Sequence, residues 1–319
     1  HDDYVGGRVG ERAARPTSKM LLTMMPDAGA EANGILTPRA LQGASLGFQY
    51  EGFPPMQLKT DKMIARKEDG VGWLIFNNPA RRNAVSMAMW EAVGEAMEDF
   101  QADDDIRVVV MAGAGDKAFV SGADISEFAE NRNSAASEEK YNAASARAHR
   151  GMAGLQKPLI AMIQGFCIGG GVAVALAADI RIAADDTQYA VPAARLGLGY
   201  GFAGLNNLTA LVGPSMAKEI FFTARRFTAE EALAMGLVNR VVPIDQLEAV
   251  VDEYTAMIKD NAPLTIRAAK ATVKEVLKDP EKRNMAALEA QIKACFDSED
   301  FTEGRTAFME KRKPVFEGR

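Results

Sequence analysis

Residues 158–184, PLIAMIQGFCIGGGVAVALAADIRIAA, constrain this chain more than any other stretch. The apolar run Leu159 to Ile163 has the length and composition of a buried strand. It breaks at Gly165, and Gly169, Gly170 and Gly171 then stand in a row. A small-residue apolar helix is expected over Val172–Ala178, and Asp179 opens a second apolar strand. Glycine lets a backbone approach its neighbour or a ligand closely, and a helix N-terminus favours negative charge. A strand, a glycine turn and a buried helix therefore suit a site that aims N–H groups at a developing oxyanion. Tight packing of a helix on a strand demands the same glycines.

A second stretch repeats the arrangement. In RVVVMAGAGDKAFVSGADISEF, residues 107–128, Val108 to Met111 reads as a short strand and Ala118 to Val120 as a brief extended piece. SGAD, residues 121–124, is expected to open a helix. Two strands that each end in a Gly/Ala loop before a helix can present two N–H groups to one oxygen.

With these motifs the chain resembles the crotonase (enoyl-CoA hydratase/isomerase) superfamily. NNPARRNAVS at 77–86, AFVSGADISEF at 118–128 and the stretch at 158–184 carry the resemblance in order. FFTARRFTAEEALAMGLVNRVVP at 221–243 and GRTAFMEKRKPVF at 304–316 extend it to about residues 60–318. The resemblance implies an α/β fold with a stacked ββα spiral core and a C-terminal helical region that assembles subunits. It implies that the N–H groups of Ala123 and Gly170 hold the thioester oxygen of an acyl-CoA while an enolate forms. It further implies that Arg82, Ala84, Asp124 and Ile125 line the coenzyme A path. Phe308 and Lys311 match positions from which a neighbouring subunit closes the adenine end. Arg82 as a solvated surface charge and Lys311 as part of a basic helix end remain the alternatives. The expected assembly is a homotrimer or a dimer of trimers.

One departure from the family's pattern outweighs the matches. The family's hydratases place one glutamate in the pattern GGGxE and another in the pattern PE of the next loop. Here those positions are Ala173 and Ala193. Moving protons to and from water and carbon needs groups that exchange protons, and alanine has none. The expected protein binds an acyl-CoA and polarises it without those glutamates. Its alternatives are an acyl-CoA decarboxylase, a thioester hydrolase, or a non-catalytic acyl-CoA-binding protein. Tyr200, between Gly199 and Gly201, is a candidate polar group for the pocket, unless its ring packs against an acyl chain or another subunit. His149 lies in a helical stretch, where a surface or cap role competes with that of a base. Glu127 is an acidic residue near the site whose alternative is a structural helix role.

Composition excludes other classes. A net charge of −6 gives no support for a nucleic-acid partner. The two cysteines, Cys167 and Cys295, form no disulfide framework or metal spacing, and a reducing cytoplasm fits them. No run of about 18 apolar residues suggests a membrane span. No metal or separate cofactor is expected, since coenzyme A belongs to the substrate.

Residues 1–55 are rich in Gly, Pro, Ala and Arg, lack a sustained period, and read as an N-terminal extension or tag. The core is expected over 56–245 and the helical region over 246–319. A hairpin is expected around Asp69-Gly70, and a helix over Met87–Gln101 with Ser86 as its N-cap. Helices are expected over 204–211 and 213–223. Thr228 and Glu231 read as a capping box ahead of a helix that ends at Gly236.

Overall fold

The computed structural model describes residues 55–124 and 135–319. The expected extension before them, the helix expected to follow SGAD, and with it Ile125 and Glu127, lie outside the described residues.

The hairpin forms as expected. β1 (Met63–Glu68) and β2 (Val71–Phe76) pair antiparallel. Both turn residues, Asp69 and Gly70, are left-handed, with φ of 46° and 76°, the geometry that the right-handed twist of paired strands favours. α1 (Met87–Ala102) follows, and the Ser86 hydroxyl accepts from the Met89 N–H at 3.3 Å.

A repeating unit then winds the chain. β3 (Val108–Gly113) turns a corner into β4 (Ala118–Val120), and α2 (Ala135–Gly154) comes after it. β5 (Leu159–Ile163) turns into β6 (Phe166–Ile168), followed by α3 (Gly170–Leu176). β7 (Ile180–Ala184) turns into β8 (Gln188–Ala190), followed by a 3-10 turn at Pro192–Arg195 and α4 (Phe202–Thr223). The first strands of these units join one sheet in the order β1-β2-β3-β5-β7-β10, and the second strands another in the order β4-β6-β8-β9. β9 (Phe227–Thr228), α5 (Ala229–Ala234) and β10 (Arg240–Val242) complete the two sheets. From β2 to β10 every pairing in the six-stranded sheet is parallel.

The six-stranded sheet is buried on both faces, as parallel sheets are. Alternate residues serve opposite layers. Leu74, Val109, Met111, Leu159 and Ala161 face a layer shared with Met89, Val93 and Phe100 of α1. Trp73, Val108, Val110, Ile160 and Ile182 face Leu247, Val250 and Val251 of α6 (Leu247–Lys259). The helical end continues through α7 (Pro263–Val276), α8 (Met285–Asp297) and α9 (Glu299–Glu310). Among the described residues no helix is long and apolar enough to cross a membrane.

Two details differ from the sequence expectation. β6 inserts three residues of strand between Gly165 and Gly169, too short a run to show a period. The helix after the glycines begins at Gly170 rather than Val172. The two helices expected over 204–211 and 213–223 are both present within α4, parted at Gly213, where the backbone is non-helical with φ 76° and ψ 165° just before Pro214. The capping box appears as expected: Thr228 Oγ1 accepts from Glu231 N–H, and Glu231 accepts from Thr228 N–H.

Hydrogen bonds stack the corners of successive units. Phe166 N–H donates to the Lys117 carbonyl at 3.0 Å, and Gln188 N–H to the Gly165 carbonyl at 2.9 Å. Gly165 is indispensable here. Its φ is 58°, and a Cβ on it would lie 2.2 Å from the Lys117 carbonyl oxygen. Gly165→Ala is expected to lower unfolding stability by about 2–4 kcal/mol, combining backbone strain with overpacking. Urea denaturation measures it, and a loss under about 1 kcal/mol would contradict this account of the corner.

Candidate functional site

The loop over residues 77–86 supports one half of the site. After a 3-10 turn at Pro79–Arg81, Arg82 and Asn83 both adopt left-handed backbone, with φ of 52° and 56°. Asparagine tolerates that region better than most residues. The fully buried Asn83 side chain accepts from Asn78 N–H at 2.9 Å. It donates to the carbonyls of Ala114 at 3.0 Å and Ala118 at 2.7 Å. Asn78 in turn donates to the Ala84 carbonyl at 3.1 Å.

So anchored, the loop grips residues 121–124. Val85 N–H donates to the Gly122 carbonyl at 2.8 Å, Asp124 N–H to the Val85 carbonyl at 3.0 Å, and Ser121 N–H to the Arg82 carbonyl at 3.1 Å. Ala123 is thereby held in a bridge with Val85.

The glycine triplet supplies the other half. Gly169 takes φ 57°, and its N–H donates to the Ala190 carbonyl at 2.8 Å. Gly171 lies so close to β4 that a Cβ on it would sit 2.0 Å from the Val120 carbonyl oxygen. Gly170 faces the 121–124 loop. A Cβ on Gly170 would lie 3.6 Å from the Ala123 nitrogen, and a Cβ on Gly122 would lie 3.8 Å from the Gly170 nitrogen. Among the described residues no protein oxygen accepts from the N–H of Ala123 or of Gly170. Two unengaged donors thus lie close together at the meeting of two loops.

The surrounding candidates take distinct positions. The exposed Arg82 guanidinium lies 5.0 Å from the Phe166 ring centroid, and Arg226 lies 5.1 Å from the same ring. Ala84 is half-buried beside it. Asp124 is buried, and one of its carboxylate oxygens accepts from Arg81 at 3.3 Å. Phe308 and Lys311 lie at the far end of the chain, on α9 and at its left-handed C-cap. Phe308 is 82 % exposed.

Ala173, one turn into α3, lines a cavity of 690 Å³ with His149, Met152 and Ala153 of α2, Asn207 of α4, and the lysines Lys270 and Lys274 of α7. Neither Ala193 nor Tyr200 lines it. Ala193 is buried in its 3-10 turn, and its carbonyl accepts from Leu196 and Leu198, each at 3.0 Å. The Tyr200 ring packs edge-on against Phe221 at 4.9 Å and beside Gly204, and burial pushes its phenol up from the usual tyrosine range. Cys167 is fully buried, which pushes its thiol up. Burial also pulls the Lys270 and Lys274 ammonium groups down, although the Asp179 carboxylate opposes it at both.

Reading the motifs residue by residue did not single out Asn83. A lone asparagine in a polar loop looks like any turn residue. Its one legible signal is its place between Arg82 and Ala84 just before the Ser86 cap. Phe166 as a platform for two guanidinium groups also left no mark in the sequence.

The two sheets wound by ββα units, with a glycine turn meeting a second loop at a pair of open N–H groups, define a crotonase-fold protein. Comparison with known proteins gives the family. The family model for enoyl-CoA hydratase/isomerase matches residues 66–319, and the chain belongs to that family. It is 34 % identical over 256 residues to a short-chain-enoyl-CoA hydratase of Clostridium acetobutylicum, covering 80 % of this chain and 97 % of the relative. It is 35 % identical to a crotonyl-CoA hydratase of Syntrophomonas wolfei, covering 80 % and 98 %. Among solved structures, an enoyl-CoA hydratase/carnithine racemase from Magnetospirillum magneticum is similar with a TM-score of 0.76 and 36 % identity, over 82 % of this chain and 97 % of that one.

Asn83→Ala is expected to cost about 3 kcal/mol, because it removes three hydrogen bonds, two of them buried, and strands the Asn78 N–H. Urea unfolding of the variant checks the magnitude. A cost below about 1 kcal/mol would mean that the loop is held by other contacts.

Proposed function

We propose that the protein binds an acyl- or enoyl-CoA thioester and stabilises its enolate between the N–H groups of Ala123 and Gly170. One observation carries the reading: these two N–H groups lie side by side with no protein acceptor among the described residues. A thioester oxygen placed there gains negative charge as the α-carbon loses a proton. Donors fixed in advance favour that charge over the neutral carbonyl, so they lower the barrier rather than merely tighten binding. Relatives named as enoyl-CoA hydratases support the substrate class.

In this reading Arg82 and the half-buried Ala84 lie along the coenzyme A path, and Asp124 shapes its wall through its pairing with Arg81. Ile125 belongs to the same path. Phe308 and Lys311 serve a neighbouring subunit in a trimer or a dimer of trimers, which their exposed place at the end of α9 permits. Tyr200, packed on Phe221, contributes to the wall rather than to proton transfer. The protein works in the cytoplasm and takes no separate cofactor.

The reaction does not run on glutamates at 173 and 193, where alanines stand. That absence favours a second reading: a reaction that needs fewer protein acids, such as decarboxylation or thioester hydrolysis, or acyl-CoA binding alone.

A panel of enoyl-, malonyl-type and hydroxyacyl-CoAs, read by product mass, separates these readings. Gain of water or a shifted double bond supports the first, while loss of carbon dioxide, release of free CoA, or binding without product supports the second. Ala173→Glu combined with Ala193→Glu is expected to raise crotonyl-CoA hydration by about 100-fold or more, the usual scale of a positioned acid or base. Initial rates of both proteins at saturating substrate give the comparison. Fast hydration by the unaltered chain, unchanged in the double variant, would refute the role assigned to the alanines.

A further inference from the structure

The six-stranded sheet carries a separate cavity at the end opposite the paired N–H groups. β3 and β5 start there and run toward the corners that lead to Ala123 and Gly170. The six residues of β3 alone span about 20 Å. The cavity measures 420 Å³, a size typical of small-molecule sites, and neither Ala123 nor Gly170 lines it.

Positive charge gathers on its wall, although the chain as a whole carries a net charge of −6. Arg107, Lys157, Arg267 and Arg319 line it, against the carboxylates of Asp104 and Glu317. Glu317 pairs with Arg319 at 2.5 Å. The other three cations form no ion pair among the described residues. Arg107 donates through Nη2 to the Phe316 carbonyl at 3.1 Å, and nothing accepts from its Nε or Nη1. Lys157 donates only to backbone carbonyls, that of Phe100 at 2.6 Å and that of Asp103. Arg267 is exposed and has no partner among the described residues.

The fold forces these charges together. Val109 and Leu159 are partners in the parallel β3–β5 pairing. Continuing that register back by two residues sets Arg107 beside Lys157, on strands about 4.8 Å apart. Burial pushes the Lys157 ammonium down, Asp103 and Asp104 oppose the shift, and the charges of Lys67 and Arg107 add to it. Pro263 and Arg267 share one face of α7, four residues apart. The end of the chain brings that face to Arg107. A Cβ on Gly318, whose φ is 86°, would lie 2.9 Å from Pro263 Cγ and 3.3 Å from Arg107 Nη1. The buried Asp300 carboxylate pins this segment, accepting from Glu317 N–H at 2.7 Å and Gly318 N–H at 3.0 Å.

We propose that this cavity binds the phosphate or carboxylate group of a small molecule between the guanidinium groups of Arg107 and Arg267, with Lys157 adding charge. A planar guanidinium offers paired N–H donors that match two oxygens of such a group. The bound anion offsets the repulsion between Arg107 and Lys157, which neutral backbone carbonyls leave uncompensated. The site stands apart from the acyl-CoA reading and does not depend on it.

Calorimetry of the full chain at low salt, with inorganic phosphate, glycerol phosphate and citrate as probes, tests the proposal. At least one probe is expected to bind once per chain, with an affinity that falls as salt rises. Arg267→Gln disturbs no described contact and is expected to weaken that binding about tenfold or more. Arg107→Gln, checked by circular dichroism because it also frees the Phe316 carbonyl, is expected to do the same. Arg226→Gln, outside the cavity, is expected to bind like the unaltered chain. Tighter binding of glycerol phosphate assigns an organic phosphate, tighter binding of citrate a carboxylate, and equal or tighter binding of inorganic phosphate the free ion. No binding of any probe at millimolar concentration, unchanged binding in Arg267→Gln, or an equal loss in Arg226→Gln would overturn the proposal.

Discussion

The contact between Gly171 and the end of β4 is the constraint on which the site depends. A Cβ there would stand 2.0 Å from the Val120 carbonyl oxygen, so only glycine allows the start of α3 to close on the second sheet. That closure carries Gly170 against the 121–124 loop and brings its N–H beside that of Ala123. A larger residue would force the helix away from β4 and part the two N–H groups. The closeness of the two N–H groups thus comes from a steric fact about backbone, not from any polar side chain.

The rest of the fold maintains this closure. Stacked corners fix the rise from one ββα unit to the next, through the Phe166 and Gln188 N–H bonds and through Gly165. Asn83 ties the 77–86 loop to the β3–β4 corner from a fully buried position, and that loop in turn holds Ala123 in its bridge. A buried network of this kind is stringent, because losing any member leaves a polar group without a partner. Arg181, buried among Ala178 and Leu237 carbonyls at 2.6 and 2.7 Å, plays a similar part where β7 meets the chain entering β10. Backbone anchors of this kind fix both halves of the site and leave the cavity side chains free to vary. None of these anchors involves the side chain of residue 173 or 193.

The elements read most accurately from sequence were those whose signals are local. Asp69-Gly70 specified its hairpin, Ser86 its cap, and Thr228 with Glu231 a complete capping box, because each depends on the geometry of four residues or fewer. β6 escaped notice because three residues cannot display a period, and because its pairing with β4 and β8 is between chain segments far apart in sequence. Gly213-Pro214 marked the place where α4 parts into two helical segments, because a left-handed glycine and a proline without an N–H both interrupt the helix locally. At the site, the triplet 169–171 and SGAD announced two loops, but their meeting depends on a register between sheets that no single stretch encodes.

The sequence by itself determined which atoms are available: open backbone donors at two glycine-bearing loops, alanines at 173 and 193, and one histidine inside the described chain. Residue identity alone decides these, and no packing can add a carboxylate to Ala173. The tertiary structure decided which of them meet. It placed Ala173 on a cavity with His149 and left Ala193 buried in its turn. It also paired Asp179 with Lys270 on the wall of that cavity. Those relations arise from helices and strands joined across 20 to 121 residues of chain, where burial and sheet register, rather than local preference, set the distances.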